Sequence, residues 1–173
     1  RQQRLMTRRA QGLDDLNGAC QLELACAAGE TPVVVRSTPE LIIPDNNPTG
    51  VSDTITVAQA GSVRLAVVAL ATITHTFDAD LDITVAGPDG TTIELTTDNG
   101  SSGDDYVSTV LRDDAATAVT SGTAPFRGSF RPEQALSGMN GRPASGMWTL
   151  KVADDLGGDT GVLRSWILGL CVQ

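Results

Sequence analysis

Residues 75–91 read HTFDADLDITVAGPDGT, and the fold is decided by the alternation inside this stretch. Leu81, Ile83 and Val85 alternate with Asp82, Thr84 and Ala86, the two-residue period of a strand with one face in a core. GPDG at 87–90 supplies turn residues and the 91–95 run returns, so the stretch predicts a β-hairpin. Asp78 and Asp80 stand just before the first strand, beside His75, the only histidine of the chain. The same residues therefore pose a question of chemistry: a catalytic site, a metal site, or an acidic turn.

Working outward, SVRLAVVALATITHTF at 62–77 is dense in β-branched residues and predicts a long strand, with Val63, Leu65, Val67, Ala69, Ala71 and Ile73 sharing one face. Near the C-terminus Trp148, Leu150 and Val152 alternate with Thr149, Lys151 and Ala153, a Gly/Asp turn follows, and VLRSWILGLCV closes the chain. Pro39, Pro44 and Pro48 punctuate short β-type runs after Thr38, while glycines and prolines scattered over 96–146 predict loop-rich, extended chain. No helical apolar pattern separates the strands, which excludes βαβ architecture and predicts an all-β sandwich. Residues 1–36 are read as an N-terminal linker, with a short weak helix or lead-in over 1–18, and 37–173 as the folded domain.

The formal charge is −9, which excludes nucleic-acid binding and docking on anionic lipid, and no apolar run is long enough for membrane insertion. Charge is unevenly placed: 1–36 hold five basic and four acidic residues, 37–173 seven and seventeen. Sixteen of the 21 acids are aspartate, a residue suited to turns and to hard cations.

Three local motifs fail on context. DTG at 159–161 follows two glycines, Gly157 and Gly158, where an aspartic protease has an apolar strand, so it reads as a turn. His75 has no G-x-S-x-G nucleophile context and reads as a strand-end histidine bonded to backbone. The stretch beginning DNGSSGDD at Asp98 departs from an EF-hand at Gly100, Ser102 and Thr109, leaving only calcium held by a cluster drawn from several loops.

In order along the chain, His75, Asp80-Leu81, Pro88-Asp89-Gly90-Thr91, Gly146-Met147-Trp148-Thr149-Leu150 and Gly161-Val162-Leu163 resemble the P-domain, or Homo B domain, which follows the catalytic domain in kexin- and furin-like proprotein convertases and in many secreted bacterial peptidases. The resemblance runs over roughly 50–173 and implies a jelly-roll β-sandwich without catalytic residues. It further implies a secreted protein, a peptidase catalytic domain as partner in cis, assistance to that domain's folding and stability, and support from Ca²⁺. The hairpin brings the segment after Thr96 back to the end where Asp80 lies, so Asp80, Asp98, Asp104, Asp105, Asp113 and Asp114 are the expected calcium ligands. Asp154, Asp155 and Asp159 form a second, weaker group, on the expectation that their turn lies at the opposite end. The competing function is a jelly-roll module for carbohydrate or another surface. It is disfavoured because Trp148 and Trp166 fall on strand parities that point inward.

Of the cysteines, a Cys26–Cys171 disulfide would tie the entry segment to the last strand and contribute roughly 4–5 kcal/mol in the chain-entropy model. Cys20–Cys26, a small local loop, is the rival pairing.

Overall fold

The computed structural model describes residues 13–14 and 20–173. Among the described residues twelve strands appear in order: β1 (Leu13–Asp14), β2 (Cys20–Gln21), β3 (Thr31–Ser37), β4 (Leu41–Ile43), β5 (Asn47–Val57), β6 (Val63–His75), β7 (Leu81–Ala86), β8 (Thr92–Thr97), β9 (Tyr106–Leu111), β10 (Phe126–Phe130), β11 (Gly146–Asp154) and β12 (Gly161–Val172). The N-terminal helix or lead-in expected over 1–18 lies largely outside the described residues; the part of it that is described, β1, pairs with β2.

Two sheets make a sandwich. The larger runs β10-β9-β6-β12-β3, with β4 on β12 as well, and the smaller runs β5-β11-β7-β8. All pairings inside these two sheets are antiparallel except β10 with β9. Their inner faces share one core in which Trp148, Trp166, Tyr106 and Phe126 are the largest fully buried side chains, joined by Leu70, Ile73, Leu81, Ile83 and Leu150. Removing each such aliphatic side chain from water is worth about 1.5–3 kcal/mol. The tryptophan N–H groups are satisfied: Trp148 donates to the Ala144 carbonyl at 2.8 Å, and Trp166 donates across the sandwich to Asp53 on β5 at 2.7 Å.

The hairpin of 81–95 is present as β7 and β8, with Val85 opposite Ile93. Its turn is closed by the Gly90 N–H on the Gly87 carbonyl and the Thr91 N–H on Asp89. β8 is an edge strand, yet it is not left open: Glu133 and Gln134 bond along it through backbone and side chain.

Two expectations need correction. The folded body does not start at residue 37, because β3 pairs along β12 with Val35 opposite Leu168, and Val33 and Val35 pack on the core. The run is short and Val34 is half exposed, so it carries little periodic signal. The single face drawn for β6 is also wrong: Val63 and Ile73 point inward, but so do Ala66, Val68 and Leu70, while Val67, Ala69 and Ala71 form a cluster on the outer face. Register shifts between β6 and β12 switch the parity along the strand, and both its faces are buried.

Candidate metal centre at the acidic end of the sandwich

The end of β6, the start of β7, the end of β8 and the end of β11 meet at one rim. β11 lies beside β7 with Asp154 opposite Leu81 and Ala153 opposite Asp82. The Asp155 N–H then donates to the Asp80 carbonyl at 3.1 Å, and the Asp98 N–H to the Leu81 carbonyl at 3.3 Å. Asp80, Asp82, Asp98, Asp154 and Asp155 are thereby brought together, with Asp159 bonded to the Thr76 hydroxyl nearby. The expected separation of Asp154, Asp155 and Asp159 from Asp80 is thus corrected: antiparallel pairing of β11 with β7 puts the exit of one strand beside the entry of the other.

The electrostatics of this rim are unfavourable as it stands. Burial raises the carboxyl of Asp80 above its ordinary range, and the charges of Asp154 and Asp159 raise it further, opposed by His75. Burial likewise raises Asp82, followed by the charges of Asp155 and Asp98. Asp98 is raised by desolvation, then by Asp155 and Glu133. Oδ1 of Asp82 and Oδ1 of Asp155 are both buried without a hydrogen-bond partner. A buried carboxylate oxygen facing other carboxylates calls for a proton or a cation.

Asp78 lies beside this rim, under the 98–105 loop. Its side chain is buried, with Oδ1 accepting from the Asp105 N–H at 3.0 Å and Oδ2 unpartnered. Desolvation, then the charges of Asp105 and Asp104, push its pKa up to about 7 against the pull of the Asp105 N–H. The 98–105 loop is folded over it: the Asp78 N–H donates to the Gly103 carbonyl and the Ala79 N–H to that of Ser101. Gly100, at φ +104°, permits that approach, since a Cβ there would meet Phe126 at 2.8 Å and Asp78 at 2.9 Å.

Asp113 and Asp114 are engaged elsewhere. Asp113 accepts the N–H groups of Leu136 and Ser137, each at 2.8 Å, at the start of the 3-10 turn Leu136–Met139. Asp114 pairs with the Arg112 guanidinium. Asp104 and Asp105 belong with Asp78, where Asp105 also accepts the His75 N–H at 2.9 Å. Of the three residues that carry unpaired oxygens, Asp155 belonged to the weaker expected group, whereas Asp82 and Asp78 were not among the expected ligands. The available signal for Asp82 was the register itself, which sets it between Ala153 and Thr97 at the rim.

His75 has both ring nitrogens occupied, Nδ1 by the Phe77 carbonyl at 2.8 Å and Nε2 by Asp154 at 3.2 Å. Its side chain and that of Asp154 are fully buried. Such a histidine ties β6 to β11 and has no free nitrogen for taking a proton from a nucleophile.

The donor set of the rim is all oxygen and anionic, which fits a hard cation such as Ca²⁺. Among the described residues, the one trio of His, Cys, Asp or Glu ligand atoms lying within 4.8 Å of one another is Cys26, Glu30 and Cys171. The two sulfurs of that trio form a disulfide, the Cys26–Cys171 pairing preferred over Cys20–Cys26, with Cα atoms 5.4 Å apart.

A family model described as the proprotein convertase P-domain matches residues 64–170, which take in β7 to β11, most of β6 and β12, and every acid of the rim. The chain belongs to this family. P-domains are non-catalytic accessory domains of proteases, so the chain is not itself an enzyme. Among solved structures, it is similar to the Aeromonas sobria serine protease in complex with the chaperone ORF2, at TM-score 0.57 and 17% identity over 87% of this chain. It is similar also to the Aeromonas sobria serine protease alone, at TM-score 0.53 and 19% identity over 85% of this chain. The P-domain chain spans 28% of either of those chains, and at such identities the likeness is one of fold. No curated protein matches.

Proposed function

We propose that this P-domain serves a secreted peptidase in cis, assisting the folding and stability of its catalytic domain, and that Ca²⁺ at the acidic rim stabilises the P-domain itself. Family membership over 64–170 supports the accessory role. The disulfide supports an oxidising, extracytoplasmic location. The observation that carries the calcium reading is the pair of buried, unpartnered oxygens on Asp82 and Asp155. Asp82, Asp155 and Asp98, with Asp80 beside them, would hold the ion, which neutralises their mutual repulsion.

No described aromatic platform favours a carbohydrate-binding reading: Trp148 and Trp166 are 1% and 0% exposed. The accessory role is tested in the parent enzyme. Deleting the P-domain should lower yield and thermal half-life while leaving kcat on a small substrate largely intact in the surviving molecules. A truncated enzyme that folds and resists heat as well as the full one overturns it. For calcium, unfolding in excess Ca²⁺ should occur several degrees above unfolding in chelator, and superimposable curves overturn it.

A further inference from the structure

The outer face of the larger sheet carries a second apolar cluster, Val67, Ala69, Ala71, Val110 and Ile167, with Leu22 and Leu24 packed on it. Leu22, Leu24 and Cys26 turn inward while Glu23 and Ala25 face solvent, so 22–26 is an extended strap. It lies directly on β12, where a Cβ at Gly169 would meet Leu22 at 2.5 Å and Leu24 at 2.9 Å. The strap is fastened at Cys26, which is partly exposed, to Cys171, which is buried. Immediately beyond, the Glu30 N–H donates to the Ala27 carbonyl at 3.1 Å and the Ala27 N–H to Glu30 Oε2 at 2.9 Å. This tight turn folds the Glu30 carboxylate back, with an oxygen within 4.8 Å of both sulfurs. The Arg64 guanidinium is 3.9 Å from Glu30 and half exposed, so its compensation is shared with water.

We propose that residues 22–30 form a redox-sensitive clasp over this sheet face, and that Glu30 guards its disulfide against thiols. Opening requires a reductant of the thiol class. Its thiolate attacks Sγ of Cys26, the less buried partner, forming a mixed disulfide as the Cys26–Cys171 bond breaks. Cys171 leaves with the electron pair and takes up a proton. A second reductant thiolate attacks the reductant sulfur of the mixed disulfide, and Cys26 leaves as a thiolate that is then protonated. The net change is two thiols oxidised to one disulfide while Cys26 and Cys171 become thiols. The Glu30 carboxylate repels the incoming thiolate and raises the free energy of the departing one, so it slows both events. Once unfastened, Leu22 and Leu24 are free to leave, exposing the surface around Val67, Ala69 and Ile167.

The test uses the chain carrying Cys20→Ser, which removes the third thiol. In that background Glu30→Gln keeps an oxygen acceptor for the Ala27 N–H and deletes only the charge. Reduction by glutathione at low salt should be about three- to tenfold faster in Glu30→Gln, with the difference narrowing at high salt. Reduced chain should bind an apolar dye more strongly than oxidised chain while its far-ultraviolet circular dichroism is retained. Leu22→Ser/Leu24→Ser with the disulfide intact should bind the dye likewise. Reduction rates within twofold of each other overturn the guarding role. Equal dye binding before and after reduction, or no gain in the double-serine chain, overturns the clasp.

Discussion

Replacing Asp82 by asparagine should invert the stability order of mutant and wild type between two buffers. Without a cation, Asp82 holds a buried Oδ1 with no donor, and Asp155 and Asp98 repel it against the smaller, opposing hydrogen bond of the Thr97 side chain. A buried polar atom left unpaired costs about 1–3 kcal/mol, and more when it is charged. Asparagine leaves an unpaired oxygen in place and removes the charge, so the gain in chelator is taken as about 1 kcal/mol, the difference between those two costs. For a chain of this size that is a Tm rise of roughly 2–4 °C. In Ca²⁺ at 100 times Kd the wild type gains about 2.7 kcal/mol by mass action, which corresponds to roughly 5–10 °C. Asp82→Asn lacks one anionic ligand and should forfeit most of that gain. Melts followed by circular dichroism in chelator and in Ca²⁺ should therefore show the mutant above the wild type in the first and below it in the second. A mutant less stable than wild type in chelator refutes the claim that Asp82 is an uncompensated charge. A mutant that keeps the full calcium shift refutes its place at the ion.

The pH dependence has a definite sign. Asp78, Asp80, Asp82 and Asp98 are all raised in the folded state, so at these sites the folded chain binds more protons than the unfolded one; in chelator their contribution to stability should be full below about pH 4 and decline as pH rises, through about pH 7 for Asp78, while Asp89 and Asp114, both lowered, lose theirs only as pH falls below about 4. Asp78→Asn should flatten the upper part of that decline, read from Tm at half-unit pH steps, and an unchanged slope contradicts the reading. Asp113→Ala should cost about 1–2 kcal/mol through loss of two N–H acceptors, by the same amount in Ca²⁺ and in chelator, because Asp113 caps a turn; a calcium-dependent cost would return it to the metal site. Gly100→Ala should destabilise by more than about 1 kcal/mol, because φ is +104° and the new methyl meets Phe126 and Asp78; chemical denaturation at neutral pH measures it.

The hairpin, the sandwich, the buried tryptophans and the Cys26–Cys171 pairing were legible because each is written in local alternation or in the position of a residue along a strand. What escaped depends on partners distant in sequence. The faces of β6 could not be assigned by parity, since the strap at Leu22 and Leu24 buries the outer face as apolar as the inner one, and an apolar run buried on both sides has no period to read. The acids escaped for a related reason. Composition and hairpin geometry place many carboxylates at one end, but whether an oxygen is spent depends on cross-strand register. Asp113, two residues after β9, is consumed by the N–H groups of Leu136 and Ser137, 23 and 24 residues further on. Asp82, which alternation marks as a solvent-facing strand residue, lies between Ala153 and Thr97 and keeps a buried oxygen with no donor. A carboxylate with two backbone donors has no call for an ion, and one that buries an oxygen no donor reaches has every call for one. The functional weight of an aspartate at this rim is therefore set by what its neighbours leave unpaired, and the unpaired set is Asp82, Asp155 and, beside the rim, Asp78.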